Sequence, residues 1–314
     1  MYLFVYYIYT NKMTFTNEER INYYLNNLQH LDVCVDHEML RFDYDKVFAT
    51  NKEGLKKYEH LNSYFRDMIR YTSNINTEKY FFCLFGDNFQ TQTHPSFIKT
   101  KKINEESNNV LLNLDSERHT TMLNYIKNID KPYHAKNEKI LWRGASTGNH
   151  IHGQRDLIVI KFQHHSNPDI DIKYNELVQG YTNNKNEYLL GDYKNLEQQL
   201  EYKFLISIEG NDVASNLKWM LLSNSIVLMP KPKICSWFME DKLEPFVHYI
   251  PLNDDFSDLE DKYNWCLHNQ GECEKISKNA SQYIEQFMDQ NRENEITRRV
   301  IETYLERVNI EVPN

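Results

Sequence analysis

Cysteine is scarce in this 314-residue chain. The five present, Cys34, Cys83, Cys235, Cys266 and Cys273, are odd in number and none is in CxxC spacing. That pattern argues against both a disulfide framework and a cysteine-rich zinc site, so free thiols in a reducing compartment are expected. Long apolar runs are missing too. The first twelve residues, MYLFVYYIYTNK, are apolar but too short to cross a bilayer, and they have no basic leader and no small-residue cleavage site. They read as neither a signal peptide nor a spanning helix; a first strand, or a start at Met13, is expected instead. With no spanning segment elsewhere, membrane contact is expected only at the surface. Positive charge is also in deficit. A net charge of −9 does not suit a non-specific nucleic-acid binder, whose affinity comes from neutralising phosphates, although a local basic pocket is compatible with it. No internal repeat or low-complexity segment is present. The length allows one large or two ordinary domains.

The chain is organised around YKFLISIEGNDVASNLKWMLLSNSIV, residues 202–227. Phe204 to Ile208 reads as a buried strand, and Glu209-Gly210-Asn211-Asp212 breaks it. Val213, Leu217, Met220, Leu221 and Leu222 then recur at helical spacing, and Ser225 to Leu228 opens another strand. In an open α/β sheet such a turn lies at the carboxyl end of a strand, where helix amides and the helix dipole can hold a phosphate. Lys218 adds positive charge on the first turns. The alternative is one βαβ unit among several, with an exposed lysine, because a single glycine is a weak phosphate signal.

Before this unit, Thr16 is a candidate cap with Glu18 and Glu19 in the first helical turn, and residues 51–71 read as one amphipathic helix. Tyr80 to Phe85 reads as a buried strand ending at Gly86-Asp87-Asn88. A carboxylate there stands where α/β proteins keep their chemistry, or else it is a turn aspartate. Residues 91–109 are polar and read as a surface loop near a cleft. Residues 116–129 read as a helix broken by Asp130-Lys131-Pro132, and the polar stretch that follows, to Lys139, is the best domain boundary. Ile140-Leu141-Trp142 starts a new strand that runs into Arg143-Gly144-Ala145-Ser146-Thr147-Gly148. Here Arg143 is a candidate clamp for a phosphate or carboxylate, with Ser146 and Thr147 as donors; a plain strand-to-helix loop is the other reading. Asp169-Ile170-Asp171 imitates the DxD pattern of metal-dependent sugar transferases, but the two aspartates alternate along a short strand. Ser257 and Glu260 form a capping-box pattern, and residues 273–308 read as two long helices.

Trp142-Arg143-Gly144, Arg155-Asp156, YKFLISIEGNDVASNLKWMLLSNSIVLMPKPK, Trp237-Phe238-Met239-Glu240, His248-Tyr249-Ile250-Pro251 and DDFSDLEDK occur in this order. Together they resemble glycosyltransferase family 90, which includes bacterial lipopolysaccharide-modifying transferases, fungal capsule-associated transferases and animal protein O-glucosyltransferases. The resemblance is strongest over residues 140–287, and GNDVASNLKWML and MPKPK are closest to the bacterial type.

The resemblance implies an α/β fold of GT-B type, two Rossmann-like domains facing across a cleft. Residues 1–136 would form the acceptor-side domain and residues 137–288 the nucleotide-sugar domain, with residues 289–314 a helix crossing back to the first. It implies Asp87 as catalytic base, although the Tyr-Pro that follows the aspartate in animal members is missing. Arg143, Gly144, Ser146, Thr147, Arg155, Gly210, Ser215, Asn216 and Lys218 would form the nucleotide-sugar site, Lys218 taking over from an arginine of the animal enzymes. The expected activity is inverting transfer of a hexose or pentose from a UDP-sugar to a hydroxyl of lipopolysaccharide or another surface glycan. No metal or other cofactor is expected. The implied location is cytoplasmic, with peripheral association at the inner membrane face. A metal-dependent transferase using Asp169 and Asp171, and a non-catalytic nucleotide-sugar-binding scaffold, are the alternatives.

Overall fold

A computed structural model describes residues 14–87, 94–148, 153–179 and 184–313. The expected first strand within residues 1–12 lies outside them. In the C-terminal half, apolar runs fold into a five-stranded sheet. Its spatial order is Ile250–Leu252, Ile226–Pro230, Tyr202–Ile206, Asn137–Ala145, Ile170–Glu176. All neighbours are parallel. Successive side chains of a strand point to opposite faces. Thus Ile140, Trp142, Phe204, Ile206, Ile226 and Leu228 enter one core, while Leu141, Leu205, Val227 and Met229 enter another. Helices Gln154–Phe162 and Leu259–His268 cover the first face, and Leu217–Leu222 the second. Burial on both faces is why these strands read as continuous apolar runs rather than alternating ones.

The N-terminal half holds a smaller sheet in the order Phe48–Thr50, Phe81–Cys83, Ser96–Ile98, Val110–Leu111. The last three strands are parallel and the first is antiparallel. Its core is aromatic, with Phe42, Phe48, Phe65 and Phe85 in edge-on and tilted contacts. This core runs without interruption into the inner face of the large sheet, through Leu141, Leu205 and Trp219. Two short ladders join distant parts of the chain: Thr100–Lys102 pairs antiparallel with Ile234–Ser236, and Leu31–Cys34 pairs parallel with Val308–Glu311. The last helix, Gln290–Arg307, lies against the N-terminal half. Arg20 grips Glu293 at 2.5 and 2.6 Å, and the Tyr304 hydroxyl donates to Pro95 O at 2.6 Å.

Thr16 caps helix Asn17–Leu25 in a full capping box with Glu19. Several other local expectations need correction. Residues 51–71 form two helices, Lys52–Lys57 and Ser63–Thr72, because the Asn51 and Asn62 side chains each accept a backbone N–H and start a new helix. Residues 116–129 likewise divide into Ser116–Thr120 and Leu123–Ile129. Ser257 does not cap the helix Leu259–His268; its hydroxyl accepts instead from Asn253. The stretch read as a polar surface loop contains the buried strand Ser96–Ile98 and the strand Thr100–Lys102.

Candidate active site

In chain order, the strands of the large sheet lie 2-1-3-4-5. The order therefore reverses between Asn137–Ala145 and Tyr202–Ile206. Ligands of open α/β sheets bind outside the carboxyl ends of the strands at such a switch point. The two loops that leave these ends are pressed together. Gly148 (φ +82°) packs so closely on Gly210 that a Cβ would lie 2.5 Å from the Gly210 carbonyl oxygen, and Gly148 N donates to Asn211 Oδ1 at 3.0 Å. Any side chain at Gly210 would meet Arg155 Nη2 and Thr147 Oγ1 at 2.8 Å.

Arg155, in the first turn of helix Gln154–Phe162, ties both loops. It donates to Ala145 O, Thr147 Oγ1, Ile208 O and Glu209 O at 2.7–3.2 Å. Among the described residues no carboxylate lies within ion-pair distance of it and its hydrogen-bond acceptors are all neutral, while Asp212 acts on it through space. Burial lowers its pKa to about 10, which still leaves it a cation at neutral pH. Nearby, Glu209 accepts from Lys233 N and Ile234 N, and burial raises its pKa to about 7.

The small sheet brings its own carboxyl ends to the same place. Beyond Phe81–Cys83 the chain turns at Gly86 (φ +105°) into Asp87, and beyond the adjacent parallel strand Ser96–Ile98 comes Lys99. Lys99 Nζ lies 2.5 Å from Asp87 Oδ1 and 2.6 Å from Asp212 Oδ2, with the Tyr64 ring centroid at 5.6 Å. The Lys99 and Asp212 side chains are 1% and 7% exposed, whereas Asp87 is 29% exposed and so keeps access to the space outside.

Burial pushes the Asp87 pKa up, but Lys99, Arg118 and a hydrogen bond with Asn211 outweigh it, and the net shift is downward. Burial raises the Asp212 pKa to about 6 despite Lys99. Burial by itself lowers the Lys99 pKa, but Asp212, Tyr64 and Asp87 reverse this and hold it protonated. His119 lies in the same cationic surroundings. Both its ring nitrogens are buried without a hydrogen-bond partner, and burial followed by Lys218, Lys99 and Arg118 keeps it neutral. Asp87 is thus an ionised, partly open carboxylate that can accept a proton.

Asp87, Thr147, Arg155 and Gly210 gather where the two sheets meet. The other residues singled out in the sequence lie differently. Lys218 is fully buried, with Nζ 3.0 Å from Glu240 Oε1 and facing the Phe238 ring at 5.0 Å, so its charge is occupied inside the core. The alternative reading of an exposed lysine is corrected accordingly. The helix that carries it has only six residues and starts at Leu217, well after Gly210. Asn216 precedes it and accepts from Ser207 Oγ at 3.1 Å; Ser215, next to it, is half-buried.

Arg143 is also buried, bonded to Asp171 Oδ2 at 2.8 Å and to three backbone carbonyls. Unlike Arg155, Arg143 already carries a carboxylate of the protein on its fork, so the structure places it differently from the ligand clamp expected of it. Ser146 exchanges hydrogen bonds with the Val178 backbone at 2.7 Å, and Gly144 makes room for the Trp142 ring. Asp169 pairs with Lys139 at 3.3 Å, so both aspartates of the DxD pattern have cationic partners. Among the described residues no three His, Cys, Asp or Glu side chains come together as a metal site. Sequence reasoning assigned nothing to Lys99, Asn211 or Asp212. The hint was available in the apolar Ser96-Phe97-Ile98, a short strand signal inside polar surroundings.

The profile described as Glycosyl transferase family 90 matches residues 112–313. O-glucosyltransferase LpsA of Dichelobacter nodosus is 35% identical over 228 residues, which is 72% of this chain and 67% of that protein. Uncharacterized protein 035R of Invertebrate iridescent virus 3 is 36% identical over 94 residues, 29% of this chain and 8% of its own length. Protein O-glucosyltransferase 3 of Homo sapiens is 29% identical over 108 residues, 34% of this chain and 21% of that protein. The profile match takes in the large sheet with Arg155 and Asp212 but starts beyond Asp87 and Lys99.

Proposed function

The chain belongs to glycosyltransferase family 90, and on that footing we propose that this glycosyltransferase moves a hexose or pentose from a UDP-sugar to a hydroxyl of lipopolysaccharide or another surface glycan, with inversion and without a metal. The two halves act as a GT-B pair, the larger sheet holding the nucleotide and the smaller one supplying the base. The observation that carries this reading is the confrontation of carboxyl ends. Asp87, ionised and partly open, stands at one, and Arg155, a cation whose hydrogen-bond acceptors among the described residues are all neutral, stands at the other.

In the proposed reaction the acceptor oxygen attacks the anomeric carbon while its proton passes to the Asp87 carboxylate. The bond from that carbon to the diphosphate oxygen breaks, and UDP leaves with the electron pair. Arg155, with the Thr147 hydroxyl as a second donor, stabilises the departing charge, a task for fixed donors aimed where charge develops. A single in-line displacement inverts the anomeric centre. The acceptor class follows the resemblance of GNDVASNLKWML and MPKPK to the bacterial type of the family. Among the described residues no helix is long and apolar enough to cross a membrane. In the proposed setting the enzyme works in the cytoplasm and meets its acceptor peripherally at the inner membrane face.

The test is incubation with a panel of UDP-sugars, UDP-glucose first, with and without a chelator, followed by NMR of the product's anomeric proton. UDP release that survives chelation, with a β-linked product from an α-linked donor, is the expected result. Retention of configuration or loss of activity in chelator would overturn the mechanism, and UDP binding with no turnover of any donor would favour a scaffold.

A further inference from the structure

We propose that Lys99 is a positioning residue that locks Asp87 to the Gly210-Asn211-Asp212 turn, holding the base of one half in register with the nucleotide crevice of the other. This rests on the reading of Asp87 as the base. The contacts form a continuous path. Gly148 N binds Asn211 Oδ1, the turn is closed by Gly210 N donating to Asp212 O at 3.0 Å, Asp212 meets Lys99, and Lys99 meets Asp87. Without the ammonium, two carboxylates from opposite halves would face each other and repel. An ammonium presents three rotatable donors, which suits two carboxylates and the face of Tyr64 better than a planar guanidinium would.

Lys99 is almost wholly buried, so solvent screens its charge little. Among the described residues, the charged and titratable groups around Asp87 come from several elements. Lys99 follows its neighbouring strand, Asp212 comes from the turn, Arg118 and His119 from helix Ser116–Thr120, Tyr64 from helix Ser63–Thr72, and Asp45 lies beside Gly86. Of these, Lys99 alone touches a carboxylate of each half.

The test compares the parent with Lys99→Gln, Lys99→Arg, Asp212→Asn and Asp87→Asn in UDP release from the UDP-sugar that the parent turns over fastest. Circular dichroism and UDP affinity serve as folding controls. Lys99→Gln should lower kcat about 10²-fold, the usual effect of displacing a catalytic group by about 1 Å, with KM for the donor within about twofold. Its acid limb should move to higher pH, because Asp87 has lost the cation that favours its ionised form. Lys99→Arg should recover part of kcat and return the limb towards the parent. Asp212→Asn should slow turnover but move the limb to lower pH, since Lys99 then serves Asp87 alone. If Lys99→Gln does not fold, the opposite behaviour of Lys99→Arg and Asp212→Asn decides the matter. Parental kcat in Lys99→Gln, or a lower kcat with an unmoved acid limb, would overturn the proposal. Turnover by Asp87→Asn would instead overturn the base assignment beneath it.

Discussion

Replacing Lys218 with Met tests whether this lysine serves the core or the ligand. The ammonium is fully buried and bonded to Glu240, whose side chain is 2% exposed. Among the described residues Glu240 otherwise accepts only from Ser236, through its backbone N–H at 2.7 Å and its hydroxyl at 2.8 Å. Met fills much of the lysine's volume but leaves a buried carboxylate without its cation, which costs about 3–5 kcal/mol. Against a usual total of about 5–15 kcal/mol, that loss is large. Urea unfolding followed by tryptophan fluorescence should show it as a lower midpoint at unchanged slope. Adding Glu240→Gln should recover most of the stability, because the amide still accepts from Ser236 and carries no charge. UDP affinity, measured where the variant is folded, should remain parental. A loss below about 1 kcal/mol together with a collapse of UDP affinity would refute this reasoning and return Lys218 to the diphosphate.

Three further outcomes follow from the crevice. Arg155→Gln removes a charged donor from the switch point and should weaken UDP binding about 10- to 150-fold, the equivalent of about 1.5–3 kcal/mol; calorimetric affinity equal to the parent's would remove Arg155 from the site. Gly148→Ala places a Cβ 2.5 Å from the Gly210 carbonyl oxygen at a φ of +82°, so both stability and UDP affinity should fall, and unchanged affinity would separate this loop from the nucleotide. Glu209 has its pKa raised by burial to about 7 from 4.5, so the folded state binds its proton more tightly than the unfolded state. Its contribution is therefore present below about pH 4.5 and lost as pH rises towards 7. Glu209→Gln keeps an acceptor for Lys233 N and Ile234 N and should flatten stability over that window; an unchanged pH dependence would exclude Glu209 as its source.

The large sheet was legible because both of its faces are buried, which leaves apolar runs such as Phe204 to Ile206 that no alternation obscures. The Thr16 cap was legible because its partner, Glu19, is three residues away. What escaped depends on partners far along the chain. Helical spacing cannot reveal that Lys218 meets Glu240, 22 residues on, or that Arg143 meets Asp171, 28 residues on. Both looked like free cations beside glycine turns, and both neutralise a carboxylate of the protein itself. Lys99 was hidden for the same reason: its partners, Asp87 and Asp212, lie in the turn beyond a neighbouring strand and in the opposite half. The division of residues 51–71 escaped because Asn62 fits a helical pattern by position yet bonds Phe65 N as a cap. Thr147 and Gly210, by contrast, were signalled by small residues at the ends of apolar strands and Arg155 by the family resemblance, and the fold brings them together.

The central claim is that Asp87 removes the acceptor proton while the nucleotide is held by the other sheet. The most direct measurement is turnover of a UDP-sugar by Asp87→Asn, taken alongside its UDP affinity. Asn keeps the shape and suits the turn after Gly86 but cannot take a proton. Turnover should fall by a factor of about 10²–10⁴ with UDP affinity unchanged. Near-parental turnover would contradict the account and make Asp87 a turn residue, for which Asn is an equal substitute.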